Sequence, residues 1–366
     1  MKHRVTLFYL GDSVGRHPVL RLAIERALEA RGLIVAEEIF CRDYDAEIPL
    51  KLQKIPERES SQVLIVCDKE AFALAGRLLS TLNQDTLHLS GETLLPSRAI
   101  EIREESYLYR IGEKQINVMQ CSLNRDLPEI LLEPAVHRTY HLFLSDLSFP
   151  EDLKEALFSE IEAAEWIEIL PGWVRIELYG EENLNELDQA LRPWRDRMIP
   201  GDSLVESLIG YYAAQKRKIT FAESCTGGLL ASTFTSQPGA SEILEGSYVT
   251  YANRIKSAWL GVREETLKLH GAVSAECVRE MARGAKQRLD ADLAVAISGI
   301  AGPTGAVPGK PVGTVFICLI NGDREIVRRL QLHGDRNAVQ QNTVLHTLKM
   351  IVESEEKIFD FFAKNP

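Results

Sequence analysis

Long apolar segments, clustered basic residues and closely paired cysteines are all missing from this sequence of 366 residues. The longest apolar stretch runs from Val312 to Ile320, well short of the ~20 residues that a membrane helix requires. The basic start at Lys2 leads only to a short apolar segment that ends at Gly11, which is not the pattern of a signal peptide. We therefore expect neither a membrane anchor nor a secretory leader.

The charge balance argues against nucleic acid as a direct partner. The formal net charge is -11, and an acidic chain repels phosphate backbones. No cluster of Lys and Arg interleaved with aromatic residues is present, and the alternative of a basic patch formed locally in the fold is left open.

The cysteines predict a reducing compartment. They are widely spaced, lie mostly in apolar segments and form no C-x-x-C pair, so we expect buried free thiols in a cytoplasmic protein. His137 and His141 are four residues apart but flank a predicted strand, so we expect no metal site there and none elsewhere. The six cysteines are Cys41, Cys67, Cys121, Cys225, Cys277 and Cys318.

Hydrophobic patterning predicts an α/β protein of two or three domains, since 45% of the residues are hydrophobic and 26% are charged. The first ~130 residues alternate predicted strands and helices, as in a parallel sheet with crossover helices. The predicted strands are Val5–Leu10, Leu33–Phe40 and Val63–Cys67, and the helices are Pro18–Arg31 and Glu70–Leu82.

A smaller α+β module is predicted between about residues 137 and 192, and a second α/β segment follows it. The module has strands at His141–Leu144 and Val174–Leu178, a helix at Pro150–Ala164 and a short helix to Leu191. A helix from Ser203 to Gln215 opens the last segment, and a long helix capped by Asp335 and containing Phe362 closes it. Between these two helices the predicted strands are Ile219–Ala222, Tyr248–Tyr251, Leu293–Ser298, Gly313–Ile320 and Glu325–Leu332, and the helices are Gly228–Thr235, Arg254–Leu260 and Ser274–Leu289.

The segment Phe221–Gly228 holds the strongest chemical signal. A strand runs into Ser224, then two glycines and a helix, so unpaired backbone N–H groups would face the Ser224 hydroxyl. Such a turn serves either a phosphate, with Ser224 only capping the helix, or an oxyanion, with Ser224 attacking a carbonyl. From this segment alone the capping interpretation is favoured.

A second segment offers a base, because the histidines of this half lie in no segment that looks like a site. Tyr251 is predicted at a strand end and Lys256 in the first turn of the next helix, near the same sheet edge. A desolvated lysine there can act as the base of a Ser-Lys pair. The alternatives are a solvated helical lysine and a half-buried structural tyrosine.

A third segment, Ser298–Gly305, follows an apolar strand at its carboxyl end, where open α/β sheets bind ligands. Its glycines predict close approach of the backbone to a ligand, and a structural turn is the alternative. The segment lacks the spacing of a Walker A loop.

These motifs in order, from Ala222–Gly228 through Val249–Asn253, Ile297–Pro303 and Lys310–Val315 to Gly334–Arg336, resemble the carboxy-terminal domain of the competence/damage-inducible CinA family. The resemblance implies an amidase that hydrolyses nicotinamide mononucleotide, without a cofactor, to nicotinate mononucleotide and ammonia. It implies Ser224 as nucleophile, Lys256 as general base and Tyr251 as proton-relaying partner. We expect backbone N–H groups of the turn near Thr226–Gly228 to hold the oxyanion. It also implies that the substrate is bound by Cys225, Thr226, Gly227, Gly228, Ser298, Gly299, Gly302 and Arg336.

The amino-terminal half resembles the same family more faintly, in Leu10–Asp12, Arg42-Asp43 and the strand Val63–Cys67. The resemblance implies a molybdopterin-binding-like domain that hydrolyses ADP-ribose in active members. The stretch Asp68–Phe72 lacks the family's glycines and paired aspartates, so we expect that activity to be lost.

Three domains are therefore predicted. They are a degenerate molybdopterin-binding-like α/β domain (1–135), a small α+β linking domain (136–200) and a three-layer αβα CinA domain (201–366). We expect a homodimer, and the alternatives to an amidase are a non-catalytic binding protein tied to competence or DNA damage and a bifunctional hydrolase.

Overall fold

A computed structural model describes residues 3–42, 45–90, 93–123, 125–144, 153, 164–180, 189 and 191–364. Asp43 of the Arg42-Asp43 pair and most of the two predicted helices at 150–164 and before Leu191 lie outside these described residues. The chain divides into two compact units. The first contains the described residues of 1–137 with 164 and 178–180, and the second contains those of 138–157, 165–177 and 188–366.

The first unit contains a six-stranded sheet in the order β2-β1-β3-β8-β7-β6. Strands β2, β1, β3 and β8 are parallel. Strand β7 pairs antiparallel with β8, and β6 pairs antiparallel with β7. These strands are β1 (Arg4–Leu10), β2 (Ile34–Cys41), β3 (Gln62–Cys67), β6 (Glu101–Arg103), β7 (Ser106–Ile111) and β8 (Lys114–Gln120), and β4 (Leu87–Ser90) and β5 (Thr93–Pro96) form a separate hairpin.

Helices cover both faces of this sheet, which confirms the α/β class. The described helices are α1 (Asp12–Gly15), α2 (Pro18–Glu29), α3 (Ile48–Gln53) and α4 (Lys69–Leu82). The apolar stripe of α2 packs on the face that carries Leu7, and α3 and α4 pack on the face that carries Phe8. The predicted alternation of β and α fails over residues 87–120, where strands follow one another directly.

A four-stranded sheet in the order β10-β11-β9-β12 corresponds to the predicted small module. Its strands are β9 (His137–Phe143), β10 (Ala164–Leu170), β11 (Trp173–Tyr179) and β12 (Met198–Pro200). Strands β10 and β12 were not predicted. Phe143, Trp173 and Ile199 belong to one apolar core with residues of the carboxy-terminal segment, and the division into three domains stays a prediction.

The carboxy-terminal segment forms three layers around a five-stranded sheet in the order β14-β13-β15-β16-β17. Strands β14, β13 and β15 are parallel, and β16 and β17 are antiparallel to their neighbours. The strands are β13 (Ile219–Glu223), β14 (Leu244–Val249), β15 (Leu293–Gly299), β16 (Thr314–Asn321) and β17 (Arg324–Gln331).

Seven helices of this segment pack on or beside the sheet. Those against one face are α5 (Leu204–Ala214), α6 (Leu229–Thr235), α10 (Arg336–Ser354) and α11 (Ile358–Lys364), and α7 (Asn253–Leu260), α8 (Glu264–Leu269) and α9 (Ala275–Leu289) contribute to the core of the other. The side chains of Phe221 and Ala222, adjacent on β13, enter these two different cores, as the period of a strand requires. The predicted three-layer αβα arrangement is confirmed.

Side-chain caps fix several helix starts at the predicted positions. Ser203, Ser274 and Asp335 each accept a backbone N–H of the following turn. The closing helix is nevertheless two helices, because α10 ends at Ser354 and Phe362 lies in α11. Over the described ranges, every helix is too short or too polar to cross a bilayer.

Candidate active site

Ser224 lies on the turn between β13 and α6. Its backbone N–H donates to the Ile297 carbonyl at 3.0 Å, which ties the turn to the neighbouring strand β15. Gly227 and Gly228 have φ values of 66° and 99°, a left-handed conformation that disfavours other residues and lets the chain reverse into the helix. The Ser224 side chain is therefore held at the carboxyl end of a central parallel strand, largely buried.

Lys256 lies in the first turn of α7 and is 1% exposed. Its Nζ is 2.9 Å from Ser224 Oγ, 2.6 Å from the Thr250 carbonyl oxygen and 3.1 Å from the Tyr251 carbonyl oxygen. Burial lowers the pKa of the Lys256 ammonium below its ordinary value, because the charged form is desolvated. The structure thus brings two of the predicted catalytic residues into direct contact.

An ammonium can donate to all three oxygens around Nζ, and a neutral amine can keep the same three contacts. A neutral lysine has two N–H donors and one lone pair, and the carbonyl oxygens of Thr250 and Tyr251 can accept both donors. The lone pair then remains for the Ser224 hydroxyl proton. In the neutral state Ser224 donates to Lys256, which is the arrangement of a nucleophile with its general base.

Tyr251 contributes its backbone to the pair, whereas its ring lies elsewhere. The side chain is 62% exposed, and its hydroxyl oxygen accepts a hydrogen bond from Arg336 Nη2 at 2.7 Å. Arg336 Nη1 donates to the Gly302 carbonyl, also at 2.7 Å. Arg336 therefore joins the loop before α7 to the glycine-rich loop after β15, and the predicted proton relay through the Tyr251 hydroxyl stays a prediction.

The turn after Ser224 has fewer available N–H donors than expected. The predicted oxyanion donors lie near Thr226–Gly228, but Gly227 N–H donates to the Ser224 carbonyl and Gly228 N–H donates to the Glu223 carboxylate. Among the described residues we find no acceptor for the Thr226 N–H, and for the Cys225 N–H only the thiol of the same residue. These two groups are the better oxyanion donors.

Cys225 and Thr226 are both buried beside the nucleophile. Burial raises the pKa of the Cys225 thiol to about 12, so the thiol is a poor competitor for Ser224 as nucleophile. The Cys225 carbonyl accepts a hydrogen bond from Gln340 Nε2 at 2.6 Å, which anchors the turn to α10. Within the described part of the chain, Thr226 Oγ1 is buried without a partner, a polar atom available to a ligand or water.

The loop after β15 packs closely on this turn. A Cβ at Gly299 would lie 3.0 Å from Cys225 Sγ and 2.9 Å from the Thr314 carbonyl oxygen, so only glycine fits there. Gly302 has a φ of 89°, and a Cβ built there would lie 2.6 Å from Val312 Cγ1. Ser298 Oγ donates to the Ala272 carbonyl at 2.8 Å and thereby fixes the entry to α9.

Two residues of this site were not predicted from the sequence. Glu223 is fully buried, and its carboxylate accepts backbone N–H groups at the start of α6. Thr250 supplies the carbonyl that is closest to Lys256 Nζ. A carboxylate at the end of an apolar strand, directly before the serine, is the sequence signal that could have identified Glu223.

The cysteines and histidines provide no metal centre in the residues that the structure describes, where no group of three or more His, Cys, Asp or Glu side chains could hold an ion. All six cysteines are buried and free, as predicted. His141 lies on β9, where Trp173 Nε1 donates to its Nδ1 at 3.4 Å, and burial lowers its pKa to about 4.

The fold and this geometry define an α/β domain with a buried serine–lysine pair at the carboxyl ends of adjacent parallel strands. Residues 201–354 match the family model of the CinA C-terminal domain. The chain belongs to the CinA family through this domain.

Similar proteins carry the same family name. A CinA-like protein of Thermotoga neapolitana is 38% identical over 237 residues, which cover 61% of this chain and 57% of that protein. A CinA-like protein of Thermosipho melanesiensis is 30% identical over 265 residues, 67% of this chain and 64% of the relative. The crystal structure of the competence damage-inducible protein A from Klebsiella pneumoniae is 35% identical, with 41% of this chain and 93% of that chain covered and a TM-score of 0.40. The chain therefore aligns with less than two thirds of the length of these two curated relatives.

Proposed function

We propose that this protein is a nicotinamide-nucleotide amidase that hydrolyses the carboxamide of nicotinamide mononucleotide. The observation that carries the proposal is the 2.9 Å contact between Ser224 Oγ and the Nζ of a buried lysine whose pKa is lowered. Because burial lowers its pKa, Lys256 loses its proton more readily than a solvated lysine, and the deprotonated amine can accept the serine proton. Membership of the CinA family supports the choice of substrate.

In the proposed reaction, Lys256 Nζ takes the Ser224 hydroxyl proton as Oγ bonds to the carboxamide carbon. The carbonyl oxygen becomes an oxyanion that accepts hydrogen bonds from the N–H groups of Cys225 and Thr226. The Lys256 ammonium then returns the proton to the amide nitrogen, the C–N bond breaks and ammonia leaves. A water molecule, deprotonated by Lys256, hydrolyses the acyl-enzyme and restores the Ser224 hydroxyl.

The nucleotide part of the substrate is proposed to bind at the loop from Gly299 to Gly305 and at Arg336. The guanidinium of Arg336 lies on the exposed rim, where it can pair with the ribose phosphate. The Gly302 carbonyl and the Tyr251 hydroxyl already orient this guanidinium. A phosphate would therefore meet a cation that is held in place before it arrives.

The decisive experiment is ammonia release from nicotinamide mononucleotide by the purified chain, beside Ser224→Ala and Ser232→Ala. Ser232 is an exposed serine of the adjacent helix α6 and provides a matched control. We expect release by the parent and by Ser232→Ala, and none by Ser224→Ala. Equal release by the parent and Ser224→Ala, or none by the parent, would refute the proposal.

For the amino-terminal half, we propose a degenerate molybdopterin-binding-like domain that has no ADP-ribose hydrolase activity and supports a homodimer. Asp68, at the position of the family's catalytic loop, caps α4 by accepting the Ala71 N–H at 2.9 Å. Its carboxylate is therefore engaged in helix capping. ADP-ribose cleavage and light scattering after size-exclusion chromatography test the two parts of this proposal, and cleavage or a monomer would contradict them.

A further inference from the structure

Glu223 is a buried carboxylate that the proposed chemistry does not use. It is the last residue of β13, is fully buried and immediately precedes the nucleophile. Its two oxygens accept backbone N–H groups of Gly228, Leu230 and Ala231 at 3.1, 3.0 and 2.9 Å. Charge-assisted bonds of this kind are about twice as strong as neutral ones, so they fix the start of α6 firmly.

The main chain of the same residue reaches the lysine side of the site. The Glu223 carbonyl accepts the Thr250 N–H at 2.8 Å, and the Thr250 carbonyl accepts a hydrogen bond from Lys256 Nζ at 2.6 Å. Glu223 therefore contacts, through different atoms, the helix after Ser224 and the loop that holds Lys256.

The occupied N–H groups also restrict where an oxyanion can bind. Because the carboxylate accepts the Gly228 N–H, this donor cannot serve a second anion without releasing Glu223. The carboxylate's charge also repels an oxyanion at that end of the turn. The N–H groups of Cys225 and Thr226 remain for the oxyanion, on the side of the turn nearer to Ser224.

We propose that Glu223 is a positioning residue of the active site. Its carboxylate holds the Ser224 turn against α6, so that Ser224 Oγ stays in reach of Lys256 and the Cys225 and Thr226 N–H groups are kept for the oxyanion. The inference rests on the proposed function for its substrate but not for its test, because the reactivity of Ser224 can be measured without a nucleotide.

The test compares Glu223→Gln with Glu355→Gln. In Glu223→Gln one side-chain oxygen is replaced by an NH₂ group that faces backbone donors, so the cluster of N–H groups loses an acceptor. Glu355 provides a matched control, since it is a buried carboxylate that accepts hydrogen bonds from Tyr211, Tyr212 and Arg217. It follows the carboxyl end of α10, and the 19 residues of this helix separate it from Arg336 by roughly 28 Å.

Two readouts are needed. The first is the second-order rate of Ser224 sulfonylation by phenylmethanesulfonyl fluoride, which mass spectrometry measures. The second is steady-state hydrolysis of nicotinamide mononucleotide. For Glu223→Gln we expect both the labelling rate and kcat to fall at least about tenfold, with KM changed less than about threefold, because the turn is misplaced. For Glu355→Gln we expect a lower Tm with labelling rate and kcat unchanged per folded molecule.

Parent-like labelling of Glu223→Gln, or an equal loss in both variants, would overturn the inference, as would a parent that is not labelled at all. If Glu223→Gln does not fold, Glu223→Asp decides, since it keeps the charge but draws the carboxylate back by about 1.5 Å. Slow labelling of Glu223→Asp supports a positioning role, and labelling at the parent rate overturns it. A parent that is labelled but does not hydrolyse the nucleotide refutes the substrate alone.

Discussion

The substitution Gly284→Ala tests whether the proposed activity depends on the position of α7, the helix that carries Lys256. Gly284 is in the middle of α9, and a Cβ built there would lie 1.9 Å from the Leu260 carbonyl oxygen at the end of α7. Because real Cβ contacts essentially never fall below 3.0 Å, Gly284→Ala requires α7 and α9 to separate by about 1.1 Å. Leu260 is one helical turn after Lys256, so the shift reaches the amine of the proposed base.

The expected loss of activity follows from the distance between Lys256 Nζ and Ser224 Oγ. A displacement of about 1 Å away from Ser224 would lengthen the present 2.9 Å contact beyond hydrogen-bond range. Misplacement by about 1 Å costs on the order of 100-fold in rate, or about 2.7 kcal/mol in the activation free energy. We therefore expect kcat for nicotinamide mononucleotide to fall about 100-fold in Gly284→Ala, whereas KM changes little.

Gly210→Ala is the matched control for this substitution. Gly210 is an exposed glycine within helix α5, and a Cβ there meets no atom within 4 Å. Alanine should keep the parent kcat and stabilise the helix by up to about 1 kcal/mol. Steady-state kinetics and thermal unfolding of the three proteins check both expectations. A folded Gly284→Ala protein with the parent kcat would refute the argument that the packing of α7 fixes Lys256.

Three further predictions concern single side chains. For the parent, kcat/KM should fall as pH decreases through the lowered pKa of Lys256. The variant Lys256→Met cannot accept a proton and should lose turnover at every pH while it remains folded. Activity of this variant would exclude lysine as the base. Arg336→Ala should raise KM for the nucleotide at least about tenfold while the rate of Ser224 sulfonylation is unchanged, and an unchanged KM would exclude Arg336 as the phosphate ligand. Below pH 6.5 the unfolded chain protonates His141 whereas the native state, with its pKa lowered to about 4, does not, so acidification from pH 7 to pH 4.5 should cost roughly 2.5 kcal/mol of unfolding free energy. Urea unfolding of the parent and His141→Gln measures this cost, and equal pH dependence in both would contradict it.

The central strands and several helix starts could be predicted from the sequence because their causes are local. A strand buried on both faces is a short apolar run, as in Val63–Cys67, and Ser203, Ser274 and Asp335 carry the side-chain oxygen that caps a helix. Strands β4 and β6 had no such signal. β6 has three residues and β4 is mostly exposed, so neither presents a sustained hydrophobic pattern.

The pairing of Ser224 with the segment after β14 also follows from sequence reasoning. β13 and β14 are parallel neighbours, and Glu223 lies opposite Val249, so the residues after each strand emerge at the same edge. The direction of the Tyr251 ring could not be predicted in this way. It depends on the position of Arg336, which lies 85 residues further along the chain.

The hydrogen-bond partners of the Glu223 carboxylate could not be predicted from the sequence for a related reason. Its hydrogen bonds depend on how α6 docks against the end of β13, which is set by packing between Phe221 and Phe234, with ring centroids 5.0 Å apart. Hydrophobic periodicity predicts that such a helix exists but not the angle at which it meets the strand.

In the proposed mechanism, the burial of Lys256 couples catalysis to folding through a single proton. Its native pKa is lower than that of the unfolded chain, so in the interval between the two values the unfolded state binds more protons and stability increases with pH. Below the native pKa the whole cost of charging a buried amine is borne by the folded protein. Acidification therefore removes the base and weakens the domain that holds it, and a ligand that requires the neutral amine should protect the protein best at alkaline pH.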